Sequence, residues 1–541
     1  MAQQDYVPLA GNLVLSVLAA AMPIVVLLYF LGIRRTSAEV AALFGLGAAL
    51  IVALFCYHMP AAIAVSAVGY GAAFGFFPIC WIIIWALCLY RITVETGKFQ
   101  IVKDSIGSLT TDRRLQALLI AFGFGAFIEG ASGFGTPVAV AAAMLTGLGF
   151  SPFYAAALCL LANTAPVAFG SIGIPMVTLA GITGLPLNHL SAATGRLCAP
   201  LSLLVPSYLI LVMGGWKALR GVLPAAVTCG AVYSLVQFLA SNFLGPQLTD
   251  IFSSLSAMGA VVVAIKLWKP TGSVKLEGDQ GMQAIKLRHT GRELFLAWSP
   301  YMLLVIFVLL WGMEPVKGWL NSVSLSFGWP GLHNRILRMP PVVAKPSPYA
   351  ATFTLNWLAA AGTACMFASL FSAAVLRLSP RRFFVLLGKT VRQVLVPMVT
   401  IAVVLGQAYL MNYCGATATL GLGFAATGTL YPFFGTLLGW LGVFLTGSDT
   451  SSNALFGNLQ VVTAHQLHLN PVLMAAANSS GGVMGKMISL QSIAVASAAT
   501  GLASHDEAKL FRFTLRHSIL LASLVSLLVI FYAYVAPQWM P

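Results

Sequence analysis

The sequence carries very little charge. Only 8% of its 541 residues are Asp, Glu, Lys or Arg, and 59% are hydrophobic, whereas soluble domains carry about 25% charged residues. Many apolar runs approach or exceed the roughly 20 residues that cross a bilayer core. This composition excludes a soluble globular protein and leaves almost no sequence for a soluble domain. We predict an all-α polytopic membrane protein.

Several signatures of enzyme and cofactor chemistry are missing. The sequence contains no GxxxxGK[ST] nucleotide loop and no HExxH or GxSxG motif. Its eight cysteines show neither CxxC nor metal-ligand spacing and lie mostly in apolar runs, as small buried hydrophobic residues do. We therefore expect a protein that is not an enzyme, uses no cofactor and binds no metal.

The first apolar run, residues 11–32, has no basic stretch before it and no small-residue cleavage site after it. It is predicted to be a membrane span rather than a signal peptide. The net charge of +15 could suggest a nucleic-acid partner. The cations fall in short loops, however, where the positive-inside rule places them. The expected partners are the bilayer, protons and a small solute, with no nucleic acid.

The apolar runs predict about twelve transmembrane helices and two re-entrant hairpins. The predicted crossings are residues 11–32, 39–57, 66–92, 152–182, 189–213, 218–242, 248–267, 294–312, 353–377, 393–412, 470–500 and 514–536. The hairpins are 115–148 and 417–466, because each has apolar arms around a middle rich in Gly, Ser and Thr. Irregular backbone at membrane depth is tolerated only where protein or a water-filled cavity covers it.

The distribution of basic residues orients these spans. With the N-terminus outside, the predicted cytoplasmic loops hold 23 of the 29 Lys and Arg. They are Arg34, Arg35, Arg91, Lys98, Lys103, Arg113, Arg114, Lys217, Arg220, Lys266, Lys269, Lys275, Lys286, Arg288, Arg292, Arg377, Arg381, Arg382, Lys389, Arg392, Lys509, Arg512 and Arg516. The positive-inside rule thus predicts a multi-pass protein of the bacterial cytoplasmic (inner) membrane with both termini outside.

Two distant stretches are weak copies of each other. Residues 127–137 read FIEGASGFGTP and residues 444–454 read FLTGSDTSSNA. Each precedes a polar segment some 30 residues on, Asn163–Ala165 in one copy and Asn478–Ser480 in the other. The predicted topology makes the two hairpins enter the membrane from opposite faces. Such an inverted repeat is typical of alternating-access carriers and here suggests an elevator-like arrangement.

The repeat divides the chain into four predicted segments. Residues 1–114 are N-terminal scaffold helices, and 115–213 form the first repeat core with its hairpin and broken helix. Residues 214–392 are connecting helices and loops. Residues 393–541 form the second repeat core, with a hairpin, a broken helix and the C-terminal helix.

Two carboxylates lie at the predicted hairpin tips, Glu129 and Asp449, while nearly all other acidic residues fall in loops or at span ends. An ionisable group within the membrane is a functional hypothesis by default. Because burial disfavours the charged form, each of the two can take up and release a coupling proton, and Glu129 is the preferred candidate. The alternative is that these groups, with neighbouring hydroxyls, only cap the helix arm that follows.

Lys486 is the only lysine well inside a predicted span. It could snorkel to the surface, pair with Asp449 or bind an anionic substrate. Helix breaks are predicted at Asn163–Pro166, at Gly170–Pro175 and at Asn478–Gly482. Free N–H groups at a broken helix suit a substrate carboxylate, although small residues could instead serve close helix packing.

The predicted substrate-binding residues are the polar side chains of the hairpin tips and helix breaks. They are Ser132, Thr136, Asn163, Thr164, Ser171, Ser448, Thr450, Ser451, Asn453, Asn478, Ser479, Ser480 and Lys486.

At these residues the chain resembles the bacterial lactate permease family. The likeness is carried by 123–137 (GFGAFIEGASGFGTP), 445–457 (LTGSDTSSNALFG) and 477–487 (ANSSGGVMGKM), and the chain length suits the family from end to end. The resemblance implies a symporter of the cytoplasmic membrane that imports L-lactate, often also D-lactate or glycolate, with a proton. Residues 313–352 match no pattern of the family.

Three alternatives remain open. A sodium-coupled carrier of other small organic anions would also use hairpins rich in Ser, Thr and Asn. A passive channel can share an inverted repeat. A membrane-embedded enzyme acting on lipid would need a nucleophile–base pair or a metal cluster, which the sequence does not show.

Overall fold

The computed structural model describes residues 2–34, 36–133, 135–272, 289–343 and 345–541. Four of the predicted cytoplasmic cations, Arg35, Lys275, Lys286 and Arg288, lie outside the described residues. The chain is a mostly helical, multi-pass membrane protein, as its composition predicts.

The N-terminal part consists of apolar helices with π-helical turns between them. They are α1 (Leu13–Leu28) with the turn Tyr29–Ile33, α2 (Ala38–Ile51) with the turn Val52–Cys56, α3 (Ala61–Phe74) with the turn Gly75–Cys80, α4 (Trp81–Glu95) and α5 (Lys98–Gly107). Pro78 lies inside the third of these turns, where Phe77 is not helical. The predicted span 66–92 is therefore one longer, kinked element.

The first repeat core contains a hairpin and a broken helix. Its elements are α6 (Arg113–Gln116), the π-helical segment Ala117–Phe124, α7 (Gly125–Ala131), α8 (Thr136–Gly147), α9 (Pro152–Ala162), the 3-10 turn Val167–Phe169, α10 (Gly170–Thr183) and α11 (Leu187–Arg220). Between α9 and the segment Val167–Thr183 the axis bends by 64°. The predicted break at Asn163–Pro166 is confirmed.

The connecting region contains α12 (Leu223–Phe243), α13 (Thr249–Leu267), α14 (Gly291–Gly312), α15 (Glu314–Asn321), α16 (Ala361–Val375) and α17 (Pro380–Cys414). The predicted crossing 353–377 is wrong in its first part. Residues Thr352–Leu355 form a strand, as the alternating Thr-Phe-Thr-Leu sequence favours, and the helix begins only at Ala361.

Among the described residues, four short strands that the sequence did not predict lie between α15 and α16, and a fifth lies at the start of the chain. The strands are β1 (Ala2–Gln3), β2 (Leu325–Gly328), β3 (Ile336–Arg338), β4 (Ser347–Pro348) and β5 (Thr352–Leu355). β2 pairs with β5 in antiparallel fashion, and the N-terminal β1 pairs in parallel with β3. The unmatched loop 313–352 is therefore folded and tied to the N-terminus of the chain.

The second repeat core repeats the element order of the first. Its elements are α18 (Ala416–Ala425), the 3-10 turn Gly428–Leu430, α19 (Tyr431–Thr446), α20 (Asp449–Gln466), α21 (Pro471–Gly485), the 3-10 turn Lys486–Ile488, α22 (Leu490–Thr500), α23 (Ser504–Tyr534) and the 3-10 turn Pro537–Trp539. The hairpin arms are 428–446 and 449–466, so the predicted hairpin 417–466 began too early: α18 is a separate short helix.

Length and composition give 11 helices that could cross a membrane, or up to 13 when each bent pair is one span, within the described residues. Two of the 11, Arg113–Ala131 and Gly428–Thr446, are hairpin arms, so the other nine and the two bent pairs give eleven crossings. The twelfth predicted crossing, 353–377, is matched only by the shorter helix Ala361–Val375. Arg113–Ala131, the first arm of the first hairpin, is among the 11 although its apolar window is wholly buried. Full burial of an apolar arm fits a hairpin enclosed by other helices.

The predicted break at Asn478–Gly482 is wrong, because α21 runs through it to Gly485. The glycines there serve close packing of α21 against α19. A Cβ on Gly439 would lie 1.9 Å from the Asn478 carbonyl oxygen, and one on Gly481 would lie 2.3 Å from that of Thr436. Small residues thus let the two backbones touch. The axis bends by 42° only after the turn that starts at Lys486.

Candidate functional site

A cavity of about 1610 Å³ separates the hairpin-bearing core from α1, α2 and α17. Its core side is formed by the second hairpin tip, by the start of α10 and by α22. The sequence-predicted residues that line it are Glu129, Ser171, Ser448, Asp449, Thr450, Ser451 and Lys486. The fold therefore brings residues of both repeats to one water-accessible space.

Glu129 lies in α7, one turn before the first hairpin tip, and is only 6% exposed. Its Oε2 accepts a hydrogen bond of 2.9 Å from Nδ2 of Asn163, at the end of α9. Its Oε1 faces Gly170, where a Cβ would lie 2.6 Å away. Glycine at position 170 therefore leaves room for the carboxyl group beside the broken helix.

The first hairpin tip turns through left-handed glycines, with φ of 59° at Gly133 and 79° at Gly135. No side chain caps α8 there. The capping alternative is thus wrong for Glu129, and also for Ser132, whose hydroxyl bonds to the Ile128 carbonyl oxygen at 3.1 Å within its own helix.

Asp449 is the first residue of α20 and is 3% exposed. Ser448 is the residue that caps this helix, through a bond of 3.2 Å from the Ser451 amide, so capping does not explain Asp449. Its Oδ2 accepts hydrogen bonds from Ser479 Oγ at 2.5 Å and from Asn453 Nδ2 at 3.3 Å. Its Oδ1 is buried without a hydrogen-bond partner in the described part of the chain.

Lys486 begins the break between α21 and α22 and is half-buried in the cavity wall. Its Nζ donates to the Gly447 carbonyl oxygen at 2.5 Å. Among the described residues no direct ion pair joins it to Glu129 or Asp449, although it acts electrostatically on both. An ammonium has three donors, so Lys486 can still bind an anion from the cavity.

The start of α10 has an unusual backbone. Ser171, Ile172 and Gly173 are all left-handed, with φ of 48°, 59° and 76°. Such a conformation is costly for a β-branched residue such as isoleucine, and strained backbone of this kind clusters at functional sites. The Ser171 hydroxyl donates to the Ser132 carbonyl oxygen at 3.1 Å, which ties the break to the first hairpin tip.

The other predicted residues lie behind the cavity wall or outside it. Asn478 donates to Asn453 Oδ1 at 2.9 Å, so both belong to the network that supports Asp449. The Thr164 hydroxyl donates to the Leu161 carbonyl oxygen at 2.9 Å, within its own chain segment. Ser480 accepts from the Cys198 thiol at 3.6 Å. Thr136 is half-buried at the start of α8. None of these five residues is part of the cavity lining.

Gln460 and Asp250 are buried polar residues that the sequence does not predict as part of the site. Gln460 in α20 accepts from the Tyr431 hydroxyl at 2.6 Å and donates to the Gly435 carbonyl oxygen at 2.7 Å. Asp250 in α13 is 1% exposed and packs against the helix that carries Glu129. Its position two residues inside the predicted span 248–267 is the signal in the sequence, and the closeness of that position to the span end hides it.

The arrangement can bind a small anion and hold protons. The cavity wall offers one ammonium, two buried carboxyl groups and several hydroxyls. Within the described ranges no group of three or more His, Cys, Asp or Glu residues could hold a metal ion. Seven of the eight cysteines are buried and all are free thiols, which agrees with their prediction as small buried residues.

Comparison with known proteins gives close relatives over the full length. The L-lactate permease of Bacillus subtilis is 46% identical over 99% of both chains. The glycolate permease of Escherichia coli is 42% identical over 98% of both chains. Among solved structures, Neisseria gonorrhoeae MtrF aligns with a TM-score of 0.46 and 14% identity, over 87% of this chain and 83% of that one, a likeness too weak to carry an argument. Residues 16–536 match the L-lactate permease family, and the chain belongs to that family.

Proposed function

We propose that this protein is a secondary active transporter that takes up L-lactate, and also glycolate and D-lactate, together with a proton across the bacterial cytoplasmic membrane. The observation that carries the proposal is the shared cavity wall, where Lys486 faces the same space as the buried carboxyl groups Glu129 and Asp449. The names of the full-length relatives, L-lactate permease and glycolate permease, support the substrate class.

A 2-hydroxy acid needs a partner for its carboxylate and one for its hydroxyl. In our proposal the Lys486 ammonium binds the carboxylate, since charge-assisted hydrogen bonds are the stronger ones. Ser171, Thr450 and Ser451 line the same cavity and can bond to the 2-hydroxyl group. Asn163, Asn453, Asn478 and Ser479 hold the carboxyl groups in place behind the wall.

Proton coupling requires a group that alternates between charged and neutral forms. Glu129 is the preferred carrier, because its carboxyl group is buried, borders the cavity and has a single side-chain donor among the described residues, Asn163. Asp449, with two side-chain donors on Oδ2, is better stabilised as an anion and is the second candidate.

The proposed movement is elevator-like. The cavity lies between α1, α2 and α17 on one side and the two hairpins with their broken helices on the other. We propose that the two hairpins with their broken helices, within the predicted repeat cores 115–213 and 393–541, slide against α1, α2 and α17. The part of α17 that lines the cavity, residues 396–404, falls inside the range 393–541 but belongs to the scaffold, together with 1–114 and 214–392. Glu39, Glu507 and Arg512 line one end of the cavity. With both termini outside, that end opens to the cytoplasm.

Radiolabelled lactate uptake into membrane vesicles tests the proposal. An inward proton gradient is expected to drive accumulation above equilibrium without sodium. An absolute sodium requirement would contradict proton symport and favour a sodium-coupled carrier of organic anions. Equilibration without accumulation under any gradient would indicate a passive channel.

A further inference from the structure

Asp250 is a third buried carboxyl group, and neither the cavity nor its hydrogen-bonded support includes it. It lies in the first turn of α13 and is 1% exposed. The residue before this helix, Leu248, makes no side-chain cap bond. No backbone amide among the described residues donates to the Asp250 carboxyl group, so a capping role does not explain its presence.

Apart from the positive end of the α13 dipole, the surroundings of Asp250 do little to stabilise a negative charge. The Tyr233 hydroxyl donates to Oδ1 over 3.4 Å, a long contact. Oδ2 is buried without a hydrogen-bond partner, and no ion pair reaches this side chain from the described residues. A buried carboxylate needs a cation or several donors. The neutral, protonated acid suits this position better.

Asp250 adjoins Glu129 through direct contact of their helices. A Cβ on Gly130 would lie 2.7 Å from the Cβ of Asp250, so α7 and α13 touch at the residue that follows Glu129. The two carboxyl groups act on each other electrostatically. In a site of low dielectric constant, two such groups do not both ionise, and they titrate as a pair.

Other titratable groups around Asp250 are few and neutral. Tyr233 faces it from α12 and Cys198 from α11. The π-helical segment Ala117–Phe124 packs on α13 but contains no titratable residue. Glu129 is therefore the one acidic partner of Asp250 in the described surroundings.

We propose that Asp250 is a second proton-holding group of the transport site and forms a pair with Glu129 that carries at most one negative charge. When Glu129 releases its proton to the cavity, the Asp250 proton stays in place, and no second charge is buried. The transport role of this pair rests on the proposed proton coupling. The protonated state proposed for Asp250 does not depend on that coupling.

Infrared spectroscopy of the purified full-length protein at neutral pH tests the proton directly, without transport. Wild type is expected to show the carbonyl stretch of a protonated carboxyl group, and Asp250→Asn to lose part of it. Asp104→Asn is the matched control, since Asp104 is a partly exposed residue that pairs with His289 at 3.0 Å. An undiminished band in Asp250→Asn would overturn the proposal.

A second variant keeps the test valid if Asp250→Asn does not fold. Tyr233→Phe removes the hydroxyl that contacts Oδ1 and should shift the frequency of the same band without abolishing it. If the frequency does not shift, the band belongs to another carboxyl group, and that result would also overturn the proposal.

The pH at which the Asp250 band disappears tests the pairing with Glu129. In Glu129→Gln this band should be lost at a pH lower than in wild type by about one unit, because a neutral amide no longer opposes the ionisation of Asp250. An unchanged pH in a folded Glu129→Gln variant would refute the pairing. If wild type shows no proton-driven uptake, the proposed function fails while the infrared result stands.

Discussion

Asn163 donates a hydrogen bond of 2.9 Å from Nδ2 to Oε2 of Glu129. This bond joins the broken helix of the first repeat to its hairpin. The second repeat contains the matching contact, from Ser479 Oγ to Oδ2 of Asp449 at 2.5 Å. In each repeat, a polar side chain of the bent helix thus fixes the carboxyl group of the hairpin. The donor and the acid differ between the two repeats, so the backbone arrangement is repeated whereas the side chains at the site are not.

Glu129→Gln is expected to abolish uphill lactate accumulation while lactate exchange continues, because the amide cannot carry the coupling proton. Accumulation and exchange are measured in vesicles with radiolabelled lactate. Glu95→Gln makes the same change at an exposed position and should leave both unaltered. Near-normal accumulation by an inserted Glu129→Gln variant would remove Glu129 from the mechanism.

Lys486→Ala should weaken the apparent affinity for lactate roughly tenfold to a hundredfold, which corresponds to the loss of one charge-assisted hydrogen bond of about 1.5–3 kcal/mol. The measurement is the KM of uptake at saturating proton gradient. Lys389→Ala removes an exposed lysine and serves as the control. An unchanged KM for Lys486→Ala argues against substrate binding by this residue.

Ser479→Ala should lower transport and thermal stability, because it removes a buried donor from the Asp449 carboxyl group. The expected cost is about 1–3 kcal/mol. Ser497→Ala is a matched control: this buried hydroxyl has no hydrogen-bond partner in the described part of the chain. Equal behaviour of the two variants in uptake and thermal unfolding would show that the contact with Asp449 is unimportant.

Gly439→Ala should destabilise the second repeat core, since its Cβ would lie 1.9 Å from the Asn478 carbonyl oxygen of α21. Overpacking of this kind costs typically about 1–3 kcal/mol, occasionally more. The unfolding temperature in detergent is the measurement. Gly388→Ala in α17 meets nothing within 4 Å and should be neutral. A wild-type unfolding temperature for Gly439→Ala would mean that α19 and α21 can separate at little cost.

The sequence by itself determined the class of protein, the two hairpins and the two carboxyl groups at their tips. These features follow from composition and local pattern. The sequence has long apolar runs, glycines that permit sharp turns, and acidic residues inside apolar segments, where a membrane disfavours charge. Sequence also predicted the break at Asn163–Pro166, because proline and polar residues interrupt an apolar helix.

Only the tertiary structure decided which polar residues meet. The Gly-rich segment 478–482 could either break a helix or allow a helix to pack closely. Its close contact with α19 shows that it serves close packing. Lys486 could have paired with Asp449, but its Nζ bonds instead to the Gly447 carbonyl oxygen. Asp250 became a buried neighbour of Glu129 because α13 packs on α7. These outcomes depend on contacts between distant segments, which no local pattern encodes.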